Sequence, residues 1–242
     1  MNTNFRLAAL AGLIFISACV INVGGSDIKY THLPPEGKNM SVQPFTSIKA
    51  NGVFNIILQH GSSESVIVKD DYPSDLKVTN DGNTLVIMDT LNNHIGIHDK
   101  KTTIYITYKQ LNAIETESVG SIKTVDTIKT AKFIFESDGV GENTLCINAD
   151  SVTASENGVG SLTIAGKAHY ATIDDNGIGK LKAKDFKVGI LHASVNGVGA
   201  ATVCADSEIY LDANGVGGIT YYGSAKVMEN TSGGIGKITH GE

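Results

Sequence analysis

The sequence contains no tryptophan, only 4 prolines and 3 cysteines, and a single arginine, Arg6. Each scarcity excludes something. Without tryptophan there is no strong aromatic platform for sugars, only scattered tyrosines such as Tyr170, Tyr210, Tyr221 and Tyr222. With one arginine the chain has almost none of the residue best suited to bidentate recognition of phosphate, which weighs against nucleic acid as a ligand. The longest apolar run near the start, Leu7 to Ile16, is too short for a permanent span, which needs roughly 20 residues. What the chain has in excess is glycine, 27 residues in 242, placed in a pattern and not as low-complexity sequence.

The amino terminus has the layout of an export signal: Arg6, the apolar run, then Ile16-Ser17-Ala18-Cys19. These four residues resemble the bacterial lipobox, which implies a signal peptide over residues 1–18, cleavage before Cys19 and lipidation of its sulfur. Two or more acyl chains convert weak membrane contact into stable anchoring, so the membrane itself is an expected partner through Cys19. Val20 in place of Asp implies sorting to the outer membrane. Residues 19–43, with Gly24-Gly25-Ser26 and Pro34-Pro35, show no sustained period and read as a tether. Of 19 basic residues one is Arg6, so cleavage leaves 18 lysines against 25 acidic residues. That balance opposes simple charge attraction to anionic membranes.

A solenoid domain is expected over 44–242. Its less regular part, 44–111, alternates as strands do: Ile48 and Ala50, then Val53, Asn55 and Ile57, then Ser65–Lys69, Leu85–Met88 and Thr103–Tyr108. Turn signals separate these runs at Gly61-Ser62-Ser63, Tyr72-Pro73-Ser74-Asp75 and Asn80-Asp81-Gly82-Asn83. His94 and His98 have the spacing of helical metal ligands, but Asn92, Asn93 and Gly96 place them in a loop, where that spacing means little.

Over 112–242 one motif recurs, Gly-Val-Gly or Gly-Ile-Gly, ending at Gly120, Gly141, Gly160, Gly179, Gly199, Gly217 and Gly236. The interval of about 19 residues is a solenoid period. Aligning the copies on these glycines yields four apolar columns: two residues after (Ile122, Leu162, Leu181, Ala201, Ile219, Ile238), four after (Leu145, Ile164, Ala183, Val203, Tyr221), eight before (Phe133, Val152, Ala171, Leu191, Ile209, Met228) and six before (Ile114, Phe135, Ala154, Ile173, Ala193, Leu211). Stacked coils would close one core that no single coil could. The expected fold is therefore all-β, a single-stranded parallel β-helix with ~19-residue coils, right-handed by the crossover preference.

The motif itself reads as a bend. Asn-Gly tolerates positive φ, the second glycine leaves room for the neighbouring coil, and the intervening Val or Ile is expected to plug the core. On this reading Gly177→Val damages folding before it damages binding. A phosphate-cradling loop would occur once, between strand and helix, and a calcium β-roll would need Asp where this chain is apolar.

Five residues before the last glycine stand Glu115, Glu136, Ser155, Asp174, Ser194 and Asp212; three before stand Glu117, Asp138, Asn157, Asn176, Asn196 and Asn214. Glu115, Glu136, Asp174 and Asp212, with Tyr210 on the outer side of its strand, form the expected binding face. An oxygen ladder of this kind could take Ca²⁺, but a solvated, register-keeping edge is the commoner role, so no metal or cofactor is expected. Cys146 and Cys204 fall in one column three coils apart, too far for a disulfide between them. No triad can be assembled from His32, His60, His169, His192 and His240.

Phe45-x-x-Ile48, Gly52-Val53-Phe54-Asn55-Ile56, Leu85-Val86-Ile87, the Thr103-to-Tyr108 strand with Leu111 and Ile114, and the serial Gly-Val-Gly bends together resemble the bacterial head GIN domain family, named for autotransporter adhesins. The resemblance runs from Phe45 to Ile238 and departs in one respect, Gly-Val/Ile-Gly standing where the family name refers to Gly-Ile-Asn. It implies a β-helical envelope protein, often a lipoprotein, with no established catalytic residues. The expected function is non-catalytic binding or adhesion to an envelope protein or glycan. The alternative is a polysaccharide-processing β-helix lyase or hydrolase, which would need a clustered acid/base constellation.

Overall fold

The computed structural model describes residues 37–69, 76–89 and 102–242, all strand, turn or irregular chain. The signal peptide, Cys19, the tether as far as 36, the turn around Pro73, and His94 and His98 lie outside the described residues.

The regular half is a parallel stack. β8 (Ala113–Thr124), β9 (Ile128–Ser137), β10 (Val140–Glu156), β11 (Val159–Asp175), β12 (Ile178–Val195), β13 (Val198–Ala213), β14 (Val216–Tyr222), β15 (Lys226–Ser232) and β16 (Lys237–His240) follow one another up the solenoid. Register is set by the repeat: Gly141 lies on Gly120, Gly160 on Gly141, Gly179 on Gly160, Gly199 on Gly179 and Gly217 on Gly199. From β10 to β13 each coil is a single strand of 16 to 18 residues.

The four apolar columns face inward as expected, with Phe133, Phe135, Val152, Ala154, Leu162, Ile164, Leu191 and Ile209 among the fully enclosed residues. Met228 is the exception. A register shift between Ile209 and Tyr210 puts Val227, not Met228, on Ile209, and Met228 points outward, 45% exposed. One extra residue in a strand flips all that follows.

Two expectations about the bends are corrected. The alternation that places Ile48 and Ala50 inside continues unbroken through Gly52 to Phe54, Ile56 and Leu58, leaving Val53, Asn55 and Ile57 on the outer side. In the same way, the Val or Ile between the two glycines does not plug the core; it faces solvent. The positive φ falls on the second glycine at Gly120, Gly141, Gly160, Gly199 and Gly217, 153° at Gly141. A Cβ on Gly141 would lie 1.6 Å from the Gly120 carbonyl oxygen, while one on the first glycine, Gly158, would lie 1.9 Å from that of Gly139. Both therefore serve close approach of stacked backbones, and the second also serves conformation.

The amino-terminal part is a stack whose order differs from chain order. β2 (Ser47–Val53) and β3 (Asn55–His60) pair in parallel with β8 on one side. On the other side they pair in parallel with β6 (Thr84–Asp89) and β7 (Thr103–Tyr108), which come later in sequence. This end is finished by antiparallel strands: β4 (Ser65–Lys69) on β7, β1 (Lys38–Met40) on β4, and β5 (Leu76–Asp81) on β6. Lys38–Met40, inside the segment assigned by sequence to the tether, thus belong to the sheet. Three residues of extended chain suffice there, because β4 offers them an edge.

Candidate functional site

The outward-facing Val and Ile residues form a ladder. Val53 pairs with Val119, and the column continues through Val140, Val159, Ile178, Val198 and Val216 by direct register. Ile235 extends it, donating its N–H to Gly215 O as Val216 does to Gly197 O. These rungs are 45–56% exposed, and Ile235, on the last coil, is 83% exposed. Eight rungs at about 4.8 Å per coil make a straight aliphatic stripe roughly 34 Å long. Continuous exposed apolar surface of this kind marks interaction sites more often than scattered single side chains do. From Val140 to Ile235 a glycine on each side of every rung leaves the stripe standing proud of a bare backbone.

Beside it runs an amide ladder. Asn157 Nδ2 donates to Asp138 Oδ1 at 2.8 Å, Asn176 Nδ2 to Asn157 Oδ1 at 2.9 Å and Asn196 Nδ2 to Asn176 Oδ1 at 3.0 Å. The top rung, Asn214, accepts from the Gly233 N–H at 3.1 Å. These side chains spend their hydrogen bonds on each other, which holds the register of the bends.

The sequence-predicted acids do share one column: Glu115 on Glu136, Glu136 on Ser155, Ser155 on Asp174, Asp174 on Ser194 and Ser194 on Asp212. They are not brought together as a cluster. Lys49 pairs with Glu115, which raises the lysine's pKa, while serines separate Glu136 from Asp174 and Asp174 from Asp212. Burial holds the Asp174 carboxyl above its usual range. Among the described residues no three His, Cys, Asp or Glu side chains converge as metal ligands would. Tyr210 stacks on His192, ring centroids 4.1 Å apart and 4° from parallel, and Tyr170 tilts against the other side of the imidazole at 5.6 Å. The Tyr210 hydroxyl donates to Glu208 Oε2 at 3.2 Å, which raises its pKa.

An interior polar column escaped the sequence reading. Four residues before the last glycine stand Thr116, Ser137, Glu156 and Asp175, stacked in register and all buried; Val195 and Ala213 fill the same position higher up. Ser137 Oγ donates to Glu156 Oε1 at 3.1 Å, Asn143 Nδ2 reaches both Ser137 Oγ (3.3 Å) and Glu156 Oε2 (3.4 Å), and the Gly158 N–H donates to Glu156 Oε1 at 3.3 Å. Asp175 Oδ1 accepts from the Gly177 N–H at 3.3 Å. Burial raises both carboxyls, against the opposing pull of these hydrogen bonds. Cys204 is a buried free thiol, three strands along the stack from Cys146, so the two are not linked to each other.

Residues 44–225 match the family described as "Putative auto-transporter adhesin, head GIN domain". No match was found among curated proteins. Among solved structures, a protein of Bacteroides fragilis described as a "putative adhesin" is 25% identical with a TM-score of 0.77, covering 85% of this chain and 96% of its own. A "putative adhesin" from Parabacteroides distasonis is 22% identical with a TM-score of 0.64, at the same coverage. A "putative lipid binding protein" from the same species is 17% identical, TM-score 0.56, covering 86% and 96%. The last two share the fold.

Proposed function

The chain belongs to the head GIN domain family, and from that premise we propose that it is a non-catalytic cell-envelope protein, anchored through lipidated Cys19, that binds its partner along the ladder face of the solenoid. The observation that carries this reading is the unbroken aliphatic stripe from Val53 to Ile235, which the core does not need and solvent does not favour. The partner class is an envelope protein or a glycan with a flat, extended apolar side. Glu115, Glu136, Asp174, Asp212 and Tyr210 lie on the adjoining outer face and add polar contacts to the rim of such an interface, where charges influence specificity more than affinity. The polysaccharide-processing alternative draws no support from the family or from the three solved relatives, none of which is described as an enzyme.

The test uses whole cells displaying the protein, layered on surfaces coated with their own envelope fraction or with mixed glycans. Val159→Thr, Ile178→Thr and Val198→Thr together keep β-branched shape while removing methyl groups from three central rungs. At about 1 kcal/mol for each half-exposed rung, retention is expected to fall about a hundredfold with circular dichroism unchanged. Retention equal to wild type would sink the ladder as the binding face. The anchor is tested separately: labelled palmitate is expected on wild type and absent from Cys19→Ala, and protease shaving of intact cells is expected to release the body.

A further inference from the structure

The interior polar column ends in a small cavity where the regular coils meet the first pair of strands. Phe54, Ile56, Thr116, Ser118, Ser137 and Asn143 line it. Two hydroxyls in its wall, Thr116 Oγ1 and Ser118 Oγ, are out of solvent contact and have no hydrogen-bond partner among the described residues; Thr116 as a whole is only 4% exposed. A buried hydroxyl left in that condition costs stability. Every other polar member of the column is paired, and the third unpaired buried atom among the described residues, Asp212 Oδ1, belongs to the outer acidic column and does not line the cavity.

The column does not need hydroxyls to build a coil, since Val195 and Ala213 fill the equivalent positions higher up. Polar residues at this end therefore serve something in the cavity. We propose that the cavity is a binding site for one internal water molecule, held by Thr116 Oγ1 and Ser118 Oγ and completed by Ser137 and Asn143. The acceptor inventory fits. Ser137 Oγ donates to Glu156 and accepts from Asn143, leaving one lone pair. Asn143 Oδ1 accepts from the Ile122 N–H at 3.2 Å and also keeps one. Two hydroxyls that can donate or accept, plus two free acceptor positions, supply the two to four partners a buried water requires. The space matches about one water-sized sphere and is too small for a sugar or a hydrated ion. A bare sodium or potassium ion would prefer a charged wall, but no carboxylate lines the cavity, and the buried Glu156 of the same column is turned to Ser137, Asn143 and Gly158.

The experiment pairs a direct reading with a variant. In isotope-labelled wild type, water-to-amide cross-relaxation with the sign of a long-lived bound water is expected at Ser118 and Gly141, and its absence overturns the proposal. Thr116→Val keeps the shape and deletes the hydroxyl. With a water bridging Thr116 and Ser118, this variant strands the water and lowers the melting midpoint by several degrees, while Thr116→Ser retains the cross-peak. A Thr116→Val midpoint equal to or above wild type, the result expected when an orphaned hydroxyl is relieved, overturns it as well. So does a midpoint that depends on exchanging sodium or potassium for choline, which would assign the cavity to a cation.

Discussion

Single residues in this chain carry their consequences through stacking, because whatever one coil does is met by the same position in the next. Gly177 is the plainest case. A Cβ there would lie 2.4 Å from the Gly158 carbonyl oxygen, so Gly177→Val is expected to abolish cooperative unfolding, read by circular dichroism and thermal melts; a variant that stays folded yet loses adhesion would reverse the roles assigned to bend and ladder. Glu156 and Asp175 give a pH signature. Both carboxyls are raised by burial, so the folded chain binds their protons more tightly than the unfolded chain does. Their contribution is complete below the ordinary carboxylate range, about 4, and is lost as pH rises through the raised values. Melting midpoints are expected to fall as pH climbs above that range, and to fall less in the Glu156→Gln, Asp175→Asn double variant; equal slopes in the two would contradict this. Neither acid was singled out by sequence, although each sits on the inward parity of its strand. The acids chosen instead, Glu115, Glu136, Asp174 and Asp212, were legible because they share a column, and the column is real.

At the scale of the strand and the coil, most of the architecture was readable. Periodicity found the coils, and apolar columns found the core, because a parallel stack puts equivalent residues directly above one another. The ladder could have been found by the same means. Counting by twos from Ile164 and Leu162 through Gly160 and Gly158 to Glu156 keeps every residue inside, so Val159 between them has to be outside. The glycines hid this, since a Gly-Val-Gly bend invites the assumption that alternation stops there. It does not stop, because the bend is made without inserting or deleting a strand position. Met228 failed for the opposite reason: a one-residue bulge leaves no mark in composition. The amide ladder belongs to this scale too. Asn176→Ala removes two hydrogen bonds, to Asn157 and from Asn196, and is expected to cost about 1–3 kcal/mol in urea unfolding, whereas Phe133→Ala, inside the same stack, is expected to cost about 3–5.

Across the whole molecule the two ends differ. The amino-terminal end is closed by antiparallel strands, while the carboxy-terminal end finishes in β15 and β16, short strands with mostly exposed side chains and Lys226 and Lys237 at their starts. Short, charged, bulged edges discourage strand addition. They are also loosely held, so amides of β15 and β16 are expected to exchange with deuterium well before those of β10 to β12; uniform protection would refute this. The inversion of order at the other end was not legible. Nothing in the spacing of β2, β3, β6 and β7 says that the earlier pair stacks inside the later one, because that choice is made by pairing between distant strands and by the closure of the end.

That inversion decides how the molecule bears a pull. Traction applied at the amino-terminal end of the described chain first meets the three-residue seam between Lys38–Met40 and Val66–Val68, which can open like a short zip and give slack. The load then reaches β2, which is clamped in parallel between β6 and β8, so it must be sheared out from between two neighbours and cannot be peeled from a free surface. A protein tethered at one end and gripped along its flank would, on this plan, yield a little at once and then hold.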